Sequence, residues 1–219
     1  MDRDPTQGNK GARMLILTGA TVTFKSLIKT VVDVKFIEGL RACGVSTLCL
    51  QYGNEVDNRS QTNISKKWFD ECLASSGLAD NGLLFKTVET NGVVCLESQT
   101  ANGFTLEAFP ITPNISDEIA KCDLVISHAG TGSIMDVLRL SKPLIVVHNE
   151  KLMHNHQLEI ATAFDSLGVC KQYSVHDLCQ DSFQNYVSEV LHGKIVFKTL
   201  DKPKQDLFKN IIFQEISKV

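Results

Sequence analysis

The chain has 219 residues, 43% of them apolar and 21% charged, with a net charge of -3. That is enough chain for a substantial core, an ordinary globular composition, and no basic excess of the kind that marks a nucleic-acid binder. The seven cysteines are odd in number and include no Cys-x-x-Cys pair. They argue for buried free thiols in a reducing compartment and against a disulfide framework or a zinc site.

Residues 1–12 are polar and predict a flexible tail with no secretory leader. No apolar run reaches the ~20 residues a membrane span needs, so the expected location is cytoplasmic. Met14 to Thr18 is continuously apolar, the pattern of a strand buried on both faces. Gly19-Ala20-Thr21 makes a turn. Helical spacing then runs as one helix from Phe24 to Leu40, closed by Gly44, and Val45 to Leu50 is the second strand. Residues 54–103 read as a variable insertion: a helix from Lys66 to Ala74, then a hairpin of Leu83–Val88 and Val93–Leu96 marked by Asn81-Gly82 and Asn91-Gly92.

Beyond it come a strand from Phe104 to Phe109, a helix from Pro113 to Lys121, and a strand from Asp123 to Ser127. A helix from Ser133 to Leu140 and a strand from Pro143 to Val147 follow. Asn155 to Leu167 is helical, Val169 to Gln172 extended, and Val175 to Leu191 helical. In the C-terminal segment 201–219, Lys204 to Ile216 forms an amphipathic helix with Leu207, Phe208, Ile211, Ile212 and Ile216 on one side. It either packs on its own sheet or docks on a partner. Alternating strands and helices predict an α/β fold, a Rossmann-like doubly wound and mainly parallel sheet over 13–200 with an antiparallel hairpin inserted.

Ligands of such sheets sit outside the carboxyl ends of the strands, where three loops converge: Gly19 to Thr23, His128 to Ser133, and His148 to Gln157. The middle loop carries the sharpest signal. An apolar strand, Leu124 to Ser127, runs into His128-Ala129-Gly130-Thr131-Gly132-Ser133 and then a helix. Gly130, Thr131, Gly132 and Ser133 are either a phosphate cradle at a helix start or an ordinary turn with Ser133 as N-cap. The third glycine of a dinucleotide fingerprint is missing, and there is no Gly-Lys-Ser/Thr of a Walker loop.

Asp136, one turn into that helix, either accepts from ribose hydroxyls or favours the positive helix end. Asn155, His156 and Gln157 either read sugar hydroxyls or cap a helix. His128 titrates near neutral pH and is a candidate for handling a proton, or bonds loop backbone. His154 and His156 point to different faces of a helix, so no metal site is expected.

Taken together, Ser127-His128-Ala129-Gly130-Thr131-Gly132-Ser133, Asp136, Lys142-Pro143-Leu144-Ile145-Val146 and Asn155-His156-Gln157 resemble a known family. It is that of the cytosolic catalytic subunits of the two-chain enzyme that adds the second N-acetylglucosamine to dolichol diphosphate. More distantly they resemble the nucleotide-sugar half of the bacterial peptidoglycan N-acetylglucosaminyltransferase. The resemblance runs from about Arg13 to Gly168.

The resemblance implies the C-terminal half of a GT-B fold that uses UDP-N-acetylglucosamine as donor, with no cofactor and no metal. The implied reaction is inverting β1-4 transfer to N-acetylglucosaminyl-diphosphodolichol, active only with a membrane-anchored, acceptor-binding subunit. That partner would hold the chain at the cytosolic face of the endoplasmic reticulum. Gly19, Ala20 and Thr21 would face the diphosphate, Gly130 to Ser133 would line the donor cleft, Asp136 would take the ribose, and Asn155, His156 and Gln157 would meet the sugar. The sequence departs from the bacterial pattern at His156, where that family has glutamine, and in its Gly-Ala-Thr first loop. The competing expectation is a non-catalytic regulatory subunit that binds nucleotide-sugar.

Overall fold

The computed structural model describes residues 11–78, 85–90, 93–98, 103–149 and 156–199. The tail, the hairpin turns and the amphipathic segment from Lys204 to Ile216 lie outside the described residues.

Among the described residues eight strands form one sheet: β1 (Ala12–Leu17), β2 (Val45–Gln51), β3 (Phe85–Thr90), β4 (Val93–Ser98), β5 (Thr105–Phe109), β6 (Leu124–His128), β7 (Leu144–Val147) and β8 (Lys171–Tyr173), in the order β3-β4-β5-β2-β1-β6-β7-β8. The six strands from β5 to β8 in that order are all parallel. The hairpin of β3 and β4 joins β5 antiparallel, as the sequence pattern predicts.

β1 lies at the centre, with Leu15 opposite Cys49 on one side and Val125 on the other. From β1 the chain moves out to β2 and β5, then returns to place β6 on β1's other flank. The order therefore turns between β1 and β6, and their carboxyl ends open a crevice.

Seven α-helices cover the two faces among the described residues: α1 (Lys25–Val31), α2 (Val34–Ala42), α3 (Ile64–Ala74), α4 (Ile115–Ala120), α5 (Thr131–Arg139), α6 (His156–Ser166) and α7 (Asp181–Leu191). Side chains of β1 alternate between the layers. Met14 and Ile16 pack with Leu27, Ile37, Phe69 and Phe183 of α1, α2, α3 and α7. Leu15 and Leu17 pack with Ile119, Ile134 and Ala161 of α4, α5 and α6. A strand buried on both faces needs no polar alternation, which is why it reads as a continuous apolar run.

Several expectations are corrected. The single helix from Phe24 to Leu40 is two. Asp33 (φ -69°, ψ 142°) breaks it, and its carboxylate accepts from the Lys35 N–H. Aspartate is a better N-cap than a helix interior residue, and Val34 N–H finds the Ser76 carbonyl instead of an intrahelical one. Likewise 175–191 divides into a 3-10 turn (His176–Cys179) and α7, because Asp177 turns back to accept from Ser174 N–H and Oγ. α5 begins at Thr131, so Gly130 (φ -86°, ψ 121°) is the N-cap and Ser133 lies inside the first turn. Among the cysteines with described side chains, Cys43, Cys49, Cys72, Cys122 and Cys170 are buried, whereas Cys179 is exposed.

Candidate active site

The crevice between β1 and β6 holds a cleft of about 140 Å³ lined by Thr18, Gly19, Ala20, Thr21, Val22, Phe24, His128, Asn149 and Gln157. Each of the three predicted loops contributes: Gly19, Ala20 and Thr21 from the first, His128 from the second, Asn149 and Gln157 from the third. Thr131, Gly132 and Ser133 form the first turn of α5 immediately after His128 and the Gly130 cap. Asp136 lies one turn on, half-exposed, 3.3 Å from Arg139. Asn155 lies outside the described residues, and His156 opens α6.

The first loop is held from behind. Thr18 N–H and Oγ1 both donate to the Gln51 carbonyl, and Asn54 N–H donates to the Ala20 carbonyl at 2.9 Å. The Glu55 carboxylate accepts from Thr23 N–H at 2.8 Å, Ser65 Oγ accepts from Glu55 N–H, and Thr23 Oγ1 meets Ser65 Oγ at 2.8 Å. The Thr23 hydrogen bonds hold the Glu55 carboxyl below its ordinary range, with Lys25 adding to the effect. Sequence reasoning missed this brace, because Glu55 and Ser65 show no motif and meet Thr23 only in the fold.

His128 is the last residue of β6. Its ring lies between two glycines: a Cβ on Gly130 would stand 2.2 Å from Nε2, and one on Gly19 3.1 Å from the same atom. Gly19 also has φ +94°, a left-handed backbone that glycine adopts without strain. The absent side chain of Gly130 therefore makes room for an imidazole of this chain, not for a phosphate. Gly132 differs, since a Cβ there would meet nothing within 4 Å among the described residues. Burial pushes the His128 pKa below the ordinary imidazole value, partly opposed by the Leu17 carbonyl. Burial thus favours the neutral imidazole, and Nδ1 is buried without a hydrogen-bond partner among the described residues.

Two features suit an anionic ligand. α5 has no side-chain cap, so its first-turn amides are left to an outside acceptor at the positive helix end. Gln157 Oε1 accepts from Asn149 N–H at 3.1 Å, which orients the carboxamide and leaves its NH2 as the group it can offer a ligand. Val22, 55% exposed, gives the cleft an apolar lip.

A parallel sheet that turns between β1 and β6, with an uncapped helix N-terminus at the turning point, is a Rossmann-type doubly wound α/β lobe. The solution structure of ALG13 matches with a TM-score of 0.59 at 24% identity, covering 91% of this chain and 94% of that one. Acinetobacter baumannii MurG matches at 0.50 and 16% identity, covering 84% of this chain and 45% of that one.

In sequence, the glycosyltransferase family 28 C-terminal domain matches residues 86–214. The UDP-N-acetylglucosamine transferase subunit ALG13 of Debaryomyces hansenii is 35% identical over 94% of this chain and 99% of its own length. That of Candida albicans is 37% identical over 94% of this chain and 74% of its own. The chain belongs to the family of UDP-N-acetylglucosamine transferase subunits built on the glycosyltransferase family 28 C-terminal domain.

Proposed function

We propose that the cleft between β1 and β6 binds UDP-N-acetylglucosamine, and that the chain is the donor half of a two-chain inverting glycosyltransferase. The observation that carries this is the convergence of Gly19–Thr21, His128 just ahead of the uncapped start of α5, and Gln157 on one cleft, although Thr131 to Ser133 and Asp136 are not among its lining residues. In this reading the α5 amides and the Gly19–Thr21 loop take the diphosphate, Asp136 takes the ribose, and Asn155, His156 and Gln157 meet the sugar. The acceptor's 4-hydroxyl attacks the anomeric carbon and UDP leaves. Preorganised N–H groups and the helix dipole stabilise the leaving diphosphate, so no metal is required.

The acceptor hydroxyl must lose a proton. Among the described residues lining the cleft, His128 is the one titratable side chain; burial lowers its pKa and so favours the neutral ring, which can accept that proton. The acceptor proposed is N-acetylglucosaminyl-diphosphodolichol, with a β1-4 bond formed. No described helix is long and apolar enough to cross a membrane. The relatives are named as subunits, and we assign the acceptor side to a membrane-anchored partner that holds this chain at the cytosolic face of the endoplasmic reticulum.

The test is co-expression with a candidate membrane subunit, followed by assay of sugar transfer to the lipid-linked acceptor. Transfer that falls sharply with Gln157→Ala and Asp136→Ala in this chain is expected. Variants that abolish donor binding while transfer continues would instead make this chain a regulatory subunit.

A further inference from the structure

The large apolar side chains that stand exposed among the described residues fall into two sets. Leu140, Leu167 and Val196 follow the ends of α5, α6 and α7, on the amino-end rim of the sheet. Val22, Val56 and Ile111 follow β1, β2 and β5, on the carboxyl-end rim that carries the donor cleft, and are 55%, 39% and 46% exposed. We propose that the loops after β1, β2 and β5 form the docking surface for the acceptor-bearing subunit, with Val22, Val56 and Ile111 as its apolar contacts. The choice of partner rests on the donor reading above.

The three loops make one ordered ledge. Asn54 N–H donates to the Ala20 carbonyl at 2.9 Å, and Gly53 N–H to the Pro110 carbonyl at 3.0 Å. Thr23 N–H donates to the Glu55 carboxylate at 2.8 Å. Each exposed side chain is therefore the immediate neighbour of a residue that bonds across to another loop. Val56 is fixed further by a β-bridge to Asn63, and the Asp57 carboxylate accepts from Arg59 and Ser60 N–H, each at 2.8 Å. A surface ordered before binding loses little conformational entropy when it is covered.

Position and chemistry select the occupant. Transfer needs the acceptor hydroxyl within about 3–3.5 Å of the anomeric carbon, so whatever carries the acceptor must close over the rim that holds the donor. Val22 belongs both to the cleft lining and to the ledge, which makes the two surfaces continuous. A second copy of this chain on the ledge would crowd the cleft and bring no acceptor. An anionic bilayer is disfavoured too. Residues 53–63 carry two carboxylates, Glu55 and Asp57, against one guanidinium, Arg59, and residues 18–24 and 110–114 carry no charge. An apolar strip ringed by polar groups is the anatomy of a protein interface.

The test is co-purification of the full-length chain with a tagged candidate membrane subunit. Val56→Glu and Ile111→Glu should each lower recovery by about tenfold or more, the loss expected of a charge placed in an interface core. Leu167→Glu, on the opposite rim, should leave it within about twofold, and Val56→Ile should retain the complex. In the isolated 15N-labelled chain, both Glu variants should keep the shifts that UDP-N-acetylglucosamine induces at the Gly19 and Gly132 amides. Should Val56→Glu lose the spectrum of a folded chain, Ile111→Glu decides the point.

A wild-type chain that does not co-purify, undiminished recovery of a folded Glu variant, or an equal loss in Leu167→Glu overturns the proposal. So does self-association of the isolated chain, or binding to phosphatidylserine vesicles, that Val56→Glu abolishes, since the ledge then has another occupant. If UDP-N-acetylglucosamine moves no amide of the wild-type chain while the Glu variants still fail to co-purify, the donor reading falls and the docking surface stands.

Discussion

Replacing Gly130 by alanine tests whether this glycine serves His128 or a ligand. Its φ of -86° and ψ of 121° suit any residue, so backbone strain adds nothing. The new methyl would stand 2.2 Å from His128 Nε2, 2.8 Å from Cε1 and 3.0 Å from Cδ2. Carbon contacts relax near 3.5 Å, so the ring must retreat by roughly 1 Å. It has little room, because the Gly19 backbone closes the other side.

Overpacking of this size costs about 1–3 kcal/mol, and exchanging a glycine N-cap for alanine adds about 0.5–1 kcal/mol. The assay is a double-mutant cycle by chemical denaturation with Gly130→Ala, His128→Ala and the pair. In the His128→Ala background only the cap cost should remain, leaving a coupling of about 1–3 kcal/mol. Equal costs in both backgrounds would refute the packing argument.

Gly132→Ala should behave in the opposite way. Its Cβ meets nothing within 4 Å among the described residues, so stability should hold or rise by up to about 1 kcal/mol while donor affinity falls, as read by calorimetry. Burial lowers the His128 pKa below the ordinary imidazole value of about 6.5, so the unfolded chain binds the extra proton first. The His128 contribution to stability is therefore whole above about pH 6.5 and shrinks as pH falls toward the depressed folded value. His128→Asn should flatten that part of the pH–stability curve. Glu55→Ala should release Thr23 and cost about 1 kcal/mol, the low end for a charged hydrogen bond because the carboxylate is partly exposed. Since Glu55 is depressed, its contribution is present above the ordinary carboxylate pKa and lost as pH falls through the folded value, which an acid titration of the variant against wild type would show.

The sheet was legible because its central strands are buried on both faces: Met14 to Leu17 and Leu144 to Val147 are unbroken apolar runs. The rim that carries the cleft follows from strand–helix alternation alone. The breaks were less legible. The apolar spacing from Phe24 to Leu40 continues through Asp33, and what ends α1 there includes a carbonyl at Ser76, far along the chain.

The glycine-rich loop shows the same limit. Its composition announces close approach, yet which atom approaches Gly130 depends on where the His128 ring lies, and that is fixed by β6 packing beside β1. The join of α3 to the start of α1 depends on Trp68 meeting the Lys25 carbonyl, 43 residues away in sequence, a pairing no local pattern encodes.

The most direct measurement is amide mapping of the 15N-labelled chain against UDP-N-acetylglucosamine. Saturable shifts should concentrate at Gly19–Thr21, Thr131–Ser133 and the Gln157 side chain, with the amino-end rim of the strands around Arg13 and Lys142 unmoved. Saturation with shifts elsewhere, or none at these three loops, would contradict the placement of the donor between β1 and β6.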